Sequence, residues 1–231
     1  MIATIHQPQY LPWLGYFNKV DRSDVFILLD DVQFKKNDWQ NRNKICTSQG
    51  EQWLTVPVLH NFGQKINEVK IDNKTNWQDS HLKALHMNYR KAPFFDNYIR
   101  LFENIYQMQW ELLVDINIYL IKEIIDLLGI QTRIVLSSEF KVSENSTKRL
   151  SNLCKAVDAD MYLAGADGGK YMDAIQFEKS GVKLLTQDFY HPIYNQLWTQ
   201  NHSKNFISNM SVVDLFFNYG PKSLTIIRGE K

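Results

Sequence analysis

The chain has 231 residues, 44% hydrophobic and 22% charged, with 26 basic against 25 acidic side chains and a formal net charge of +1. Evenly spread apolar content on that length suits one sizeable α/β core and argues against disorder. The balanced charge offers no field for nucleic acid or an anionic membrane. No apolar run approaches the roughly 20 residues needed to cross a bilayer, so membrane insertion is not expected. Met1 leads straight into a strand-like run without a secretion pattern, and Cys46 and Cys154 lie far apart, which together point to a reducing cytoplasm.

In chain order, the apolar run Ile2 to Ile5 ends in His6, and a polar-aromatic loop with two prolines follows. Leu14, Phe17 and Val20 mark a short amphipathic helix. A second apolar run, Val25 to Leu29, ends in Asp30, Asp31 and Gln33. Strand, loop, helix, strand, with polar groups after each strand end, is the order in which open parallel sheets build ligand sites. Next come WQNRNK (39 to 44), a strand-like WLTVPV (53 to 58) with Pro57 at an edge, a loop through Gly63, and a short strand at 69 to 71. Helical spacing predicts helices over 77 to 90, 97 to 107 and 110 to 128, the last closed by Gly129, giving a helical insert at about 76 to 129. Strands at 132 to 136, 161 to 164 and 182 to 185 alternate with helices starting at Ser146 and running through 174 to 179, and a last helix covers 212 to 219. No linker or repeat divides the chain, so residues 1 to 231 read as a single domain. The fold class is α/β, a Rossmann-like, mostly parallel sheet.

Several constellations carry chemistry. His6 at a strand end is a phosphate-contacting or acid/base imidazole, or a histidine bonded to backbone where the strand stops. Gln7, Tyr10 and Trp13 follow it on a proline-stiffened loop. Alternation along a strand sends Asp30 and Asp31 to opposite faces. Asp31 with Gln33 therefore shares a face suited to hydroxyls, an amine or hydrated Mg²⁺, while Asp30 serves a local turn. In WQNRNK, Arg42 and Lys44 can hold phosphate or carboxylate, Asn41 and Asn43 orient them, and Trp39 flanks them; a solvated polar turn is the alternative. GADGGK (165 to 170) departs from the Walker pattern, having Ala164 and Tyr171 at two required positions. Its Gly168, Gly169 and Lys170 still form a glycine-rich turn between strand and helix. That turn either receives an anion on backbone N–H groups or merely needs positive φ. His191, Tyr194 and Gln196 lie in an aromatic segment that either faces a sugar or packs on the surface. His81 and His86, five apart on a helix, cannot share one face, and no structural metal is expected.

A histidine after a first strand resembles the signature loop of the nucleotidylyl-transferase superfamily. The second histidine of that His-x-x-His pattern is missing, the next being His60. Over nearly its whole length the chain resembles the WbqC-like family, through HQPQYLPWLGYF, DDVQF, WQNRNKI, LLGIQT, SSEF, YLAGADGGKYMD and NMSVVDLFFNYG. The resemblance implies a place in bacterial O-antigen, lipopolysaccharide or other surface-polysaccharide biosynthesis. Joined to the strand-end chemistry, it implies transfer or ligation of an acyl or aminoacyl group onto a nucleotide-linked amino sugar, either with ATP and Mg²⁺ for activation or from a preactivated donor. Two alternatives remain: a non-catalytic module binding a nucleotide sugar or glycan, and a nucleotidyltransferase. In the transfer scheme Arg42 and Lys44 neutralise phosphate, His6 assists proton transfer or the leaving phosphate, Asp31 and Gln33 position the acceptor, and Trp13 and Tyr10 stack a base or sugar. The scheme expects His6, Asp31 and Arg42 to line one shared hollow. Loop aromatics such as Trp198 suit a contact between copies in a homo-oligomer.

Overall fold

The most central strand is the first. In the computed structural model, which describes residues 1–143, 146–166, 168, 172–202 and 206–230, β1 (Ile2–His6) lies inside a five-stranded sheet. Its neighbours are β2 (Val25–Leu28) and β8 (Met161–Ala164), with β7 (Arg133–Leu136) and β9 (Lys183–Thr186) at the edges. Every pairing is parallel. The order β7-β2-β1-β8-β9 places the third sheet strand at one edge and sends the fourth to the other side of the first, the doubly wound arrangement.

Both faces are covered, which is why the strands read as continuous apolar runs. Ala3, Ile5, Val25, Ile27, Tyr162 and Ala164 pack with Leu153, Cys154 and Phe177 of helices α5 (Ser146–Ala156) and α6 (Ala174–Lys179). On the other face Phe26 and Leu28 meet α1 (Leu14–Asp21), the second half of α4 (Leu113–Leu128), α8 (Val212–Tyr219) and α9 (Ser223–Arg228). The sequence pattern had not indicated α9.

The crossover from β2 to β7 carries the insert, which begins earlier than the predicted helices. Two antiparallel pairs come first: β3 (Arg42–Thr47) with β4 (Gly50–Thr55), and β5 (Val58–Leu59) with β6 (Lys70–Ile71). The predicted helices follow as α2 (Trp77–Tyr89), α3 (Phe95–Gln107) and α4, with Gly129 at φ 70° closing α4 in the left-handed conformation. The insert has its own core, to which α4 contributes Leu113, Ile116 and Leu120, while Ile121, Ile124 and Ile125 serve the sheet. Helix α8 is shared in the same way, with Val213 and Phe217 on the insert side and Val212, Leu215 and Phe216 on the sheet side. These two helices clamp the halves together.

Within that clamp sits a buried carboxylate. Asp214 of α8 accepts Tyr89 Oη at 2.9 Å, Tyr194 Oη at 2.8 Å and Gln196 Nε2 at 2.9 Å, while Tyr89 Oη accepts the Cys46 N–H at 2.9 Å. One side chain therefore ties α8 to α2, to β3 and to the segment before α7 (Leu197–His202). Burial raises its pKa above the usual 3.8, against the pull of three donors. The folded state thus binds more protons than the unfolded state just above 3.8, and stability falls as pH rises through that interval. Asp214→Ala leaves two buried hydroxyl protons without an acceptor and removes one of the two bonds made by the Gln196 amide nitrogen. It is expected to cost about 3 kcal/mol and lower the melting temperature by roughly 10 °C. Thermal unfolding of the two proteins at neutral pH checks this, and an unchanged midpoint would contradict it.

Candidate functional site

The sheet opens between β1 and β8. β1 pairs with β2 through His6↔Leu28, but with β8 only through Ile2↔Met161 and Ala3↔Tyr162. Beyond Ala3 a side chain replaces the backbone ladder, Thr4 Oγ1 donating to the Leu163 carbonyl at 2.7 Å. The two strands then part at the point where strand order reverses. A hollow of about 400 Å³ fills the gap, with Ile5 and His6 of β1, Trp13, Gly15, Tyr16 and Lys19 of the following loop and α1, and Gly165, Ala166 and Gly168 after β8. Met172, Gln187 and Phe189 close it. Gln187 pins the far wall, its amide donating to the Gly15 carbonyl and to Asn18 Oδ1, each at 2.9 Å.

Glycine at two positions here makes room. Any Cβ on Gly15 would fall 2.3 Å from the Trp13 ring, so the indole lies directly over the helix start. A Cβ on Gly168 would stand 3.2 Å from that of Ala164, and the Gly168 N–H closes a turn onto the Gly165 carbonyl at 2.8 Å. Gly168 thus sits in close approach to Ala164 and Met172, and neither Gly165 nor Gly168 has positive φ. Gly169 and Lys170 lie outside the described residues.

The His6 ring packs on Tyr16 at 4.8 Å, tilted by 31°, three residues before Lys19 on the same face of α1. Its Nε2 faces the amide nitrogen of Gln9 at 3.4 Å, and its buried Nδ1 has no partner. Where the Gln9 amide donates to Nε2, the ring proton sits on Nδ1; the buried Gln9 Oε1 is likewise without a partner. Gln9 occupies the place of the second histidine in the His-x-x-His pattern. Burial, and then the charge of Lys19, hold the His6 pKa well below 6.5, so the ring is neutral at physiological pH. Lys19 is 3% exposed, donates from Nζ to the Ile5 carbonyl at 3.1 Å, and is brought down to about 7 by burial. Sequence periodicity marked only the apolar stripe of α1 and missed Lys19 and Tyr16. Their three-residue spacing on the helix after the first strand was the available signal.

Asp30 and Asp31 turn out differently from the alternation argument. β2 ends at Leu28, so the two aspartates lie in the loop and are not bound to opposite faces. Both reach the end of β7: Ser137 Oγ lies 3.0 Å from Asp30 Oδ1 and 2.5 Å from Asp31 Oδ1. Asp30 also accepts Ser138 N–H at 3.0 Å and Ser138 Oγ at 2.7 Å. Asp31 is bound by Arg149 of α5 at 2.5 and 2.6 Å. The hydrogen bonds from Ser137 and Arg149, with the guanidinium charge, outweigh burial and lower the Asp31 pKa. Gln33 is exposed and bridges to Lys65 through backbone.

Arg42 and Lys44 project from β3 onto the Trp53 ring, 4.2 and 5.0 Å from its centroid, and Lys44 pairs with Glu51 at 2.5 Å. Trp39 lies 5.6 Å from Trp53, and both indoles are exposed. Asn41 and Asn43 point the other way and are buried, bonding the Val56 carbonyl at 3.0 Å and the Leu11 carbonyl at 2.6 Å. They brace the hairpin and do not orient the cations. Neither Asp31 nor Arg42 lines the hollow at His6.

The other predicted binders divide between wall and core. Trp13 lines the hollow, edge-on to Phe189 and stacked on His191 at 6.2 Å. His191 accepts Asn209 N–H on Nε2 at 3.1 Å, so its Nδ1 donates to the Pro192 carbonyl at 2.9 Å; it supports Trp13 from behind. Gln7 accepts the Gln40 amide at 2.7 Å. Tyr10 is fully buried, 2.8 Å from His81 Nδ1 and 2.5 Å from Tyr106 Oη, and has no free face for a base or sugar. Tyr194 and Gln196 are spent on Asp214. Trp198 is half-buried and donates to the Asn88 carbonyl at 2.9 Å. A larger hollow, about 760 Å³ between Asn73–Gln78 and Gln109–Glu111, lies in the insert away from the strand ends of the sheet. Among the described residues no group of three metal-ligating side chains forms, and no helix is long and apolar enough to cross a membrane.

Fold and site thus define a doubly wound α/β protein with a ligand-sized hollow at the switch point of its sheet. The model of the WbqC-like protein family matches residues 7–226, and the chain belongs to that family. It is similar to the uncharacterized protein Rv1507c of Mycobacterium tuberculosis (strain ATCC 25618 / H37Rv), 37% identical over 230 residues that cover 98% of this chain and 97% of the relative. Comparison with solved structures finds no significant match.

The Asp31–Arg149 pair makes a pH prediction. A lowered carboxylate pKa contributes stability above the ordinary value of 3.8, and that contribution is lost as pH falls through the folded value. Asp31→Asn should therefore flatten the acid limb of the stability curve while changing thermal stability only modestly at low pH, where the wild-type carboxyl is itself protonated. Equilibrium denaturation of both proteins between about pH 3 and pH 7 measures this. Parallel acid limbs would show the pair to be inert.

Proposed function

We propose that this protein is an enzyme of bacterial surface-polysaccharide biosynthesis that attaches an acyl or aminoacyl group to the amine of a nucleotide-linked sugar in the switch-point hollow. The observation that carries the reading is the buried, unpartnered Nδ1 of His6 at the floor of that hollow. A buried donor without an acceptor costs free energy in the empty protein, which a ligand atom recovers. In the reaction a C–N bond forms between the sugar amine and the acyl carbon, the bond from that carbon to its leaving group breaks, and the amine proton passes to the departing group or to water. His6 Nδ1–H stands where it can donate to the oxygen that gains charge, and Trp13 supplies a flat wall for a sugar ring. Where the acyl donor is a free carboxylic acid, ATP with Mg²⁺ provides the activation. Strand order, and a histidine at the end of the first strand, support kinship with the nucleotidylyl-transferase superfamily, some of whose members activate carboxylates in this way. Arg42, Lys44, Trp39 and Trp53 offer an outlying patch for the carried nucleotide or lipid phosphate, and the acceptor and donor are the protein's small-molecule partners.

Thermal shift against ATP with Mg²⁺ and against nucleotide amino sugars, followed by coupled detection of phosphate, pyrophosphate and AMP, tests the reading. Nucleotide amino sugars are expected to stabilise the protein. His6→Gln is expected to lose about 10²-fold or more in turnover with its melting temperature unchanged. Full turnover in His6→Gln, or no response to any nucleotide sugar, would overturn the assignment.

A further inference from the structure

Among the described residues, Lys19 brings a charge into the interior without a counter-ion. Its ammonium has three N–H donors, of which the Ile5 carbonyl uses one. Among the described residues it meets no carboxylate; Asp21, the acid nearest on the same helix, is taken by Arg228 at 2.8 Å from each of two nitrogens. The adjacent His6 Nδ1–H is a further donor without an acceptor. Gly15 and Gly165 add no side chains where they border the same space. Among the described residues, the lining of the hollow holds the Lys19 amine and an unpartnered imidazole nitrogen, and no carboxylate.

We propose that this floor seats an oxyanion of the ligand, a phosphoryl or carboxylate group held by Lys19 Nζ and His6 Nδ1, and that Lys19 takes up a proton as the anion binds. The chemistry follows from desolvation: a buried ammonium is disfavoured until an opposite charge arrives, and the anion restores its ordinary affinity for protons. In the free protein burial sets Lys19 at about 7, so at mildly alkaline pH the amine is mostly neutral and binding must charge it. The facing groups do not compete. His6 from β1 is held neutral, and Tyr16 from α1 and Tyr162 from β8 have pKa values raised by burial. Asp188, beyond β9, is exposed to water. The inference rests on the hollow being the ligand site and does not depend on which group is transferred there.

Isothermal titration of the intact protein with sulfate, acetate and neutral N-acetylglucosamine, in two buffers of different ionisation heat, reads the proton directly. Sulfate stands in for phosphoryl because it does not titrate in this range. Proton uptake per bound anion is expected to rise from near zero at about pH 6 towards one at about pH 8.5. Tighter sulfate assigns a phosphoryl ligand and tighter acetate a carboxylate. Lys19→Gln is expected to weaken anion binding by about tenfold or more and to abolish the buffer dependence. Anion binding without proton exchange, the same exchange in Lys19→Gln, or no anion binding by the wild type would each overturn the proposal. The wild-type buffer pair decides it even if the variant fails to fold. Intact proton uptake in a protein without acyl-transfer activity would sink the transferase reading alone.

Discussion

The early end of one ladder shapes the molecule's chemistry. β1 and β8 are in register at Ile2 and Ala3, then separate, while β1 and β2 remain paired to His6. Freed from a strand partner, the Ile5 carbonyl takes the Lys19 ammonium, and the space above it becomes the hollow. Parallel sheets part in this way where the chain reverses its direction of winding, because the connections leaving the two strands cross opposite faces. The hollow is thus a consequence of topology, and side chains only furnish it.

The furnishing is held by packing from both halves of the protein. Gln187 fastens the loop after β9 to α1, and Asn18 on α1 also bonds the Ile227 carbonyl of α9 at 3.1 Å. Trp13 is trapped between the Gly15 backbone and His191, and Ser211 bonds back to the Lys44 carbonyl at 2.8 Å. The insert therefore braces the loop after β1 without lining the hollow. Asp214 serves the same coupling deeper in the core, where two helices are shared between the insert and the sheet.

Two further polar assemblies stand apart from the hollow and explain much of the charge in the first part of the chain. Asp30 and Asp31 close the end of β2 against β7 through Ser137, Ser138 and Arg149. Arg42 and Lys44 lie on exposed indole. The sequence brings these groups within a few dozen residues of His6, yet proximity along the chain and proximity at one surface are separate matters. A strand of four residues followed by a turn re-aims every side chain beyond it.

Local pattern was enough to place most helices and strands, the parallel sheet, the left-handed stop at Gly129 and a histidine at the first strand end. Those features depend on periods of two and 3.6 residues and on the backbone preferences of glycine and proline, all of which act over a few positions. Contacts between distant segments decided the rest. Only tertiary structure shows that Tyr10, Asn41, Asn43 and Gln196 are interior braces, because their partners come from Tyr106, Val56, Leu11 and Asp214. It also decided that Lys19 loses its water. A lysine on an amphipathic helix ordinarily keeps its ammonium in solvent, and here it is turned inward onto the Ile5 carbonyl of β1 and left 3% exposed.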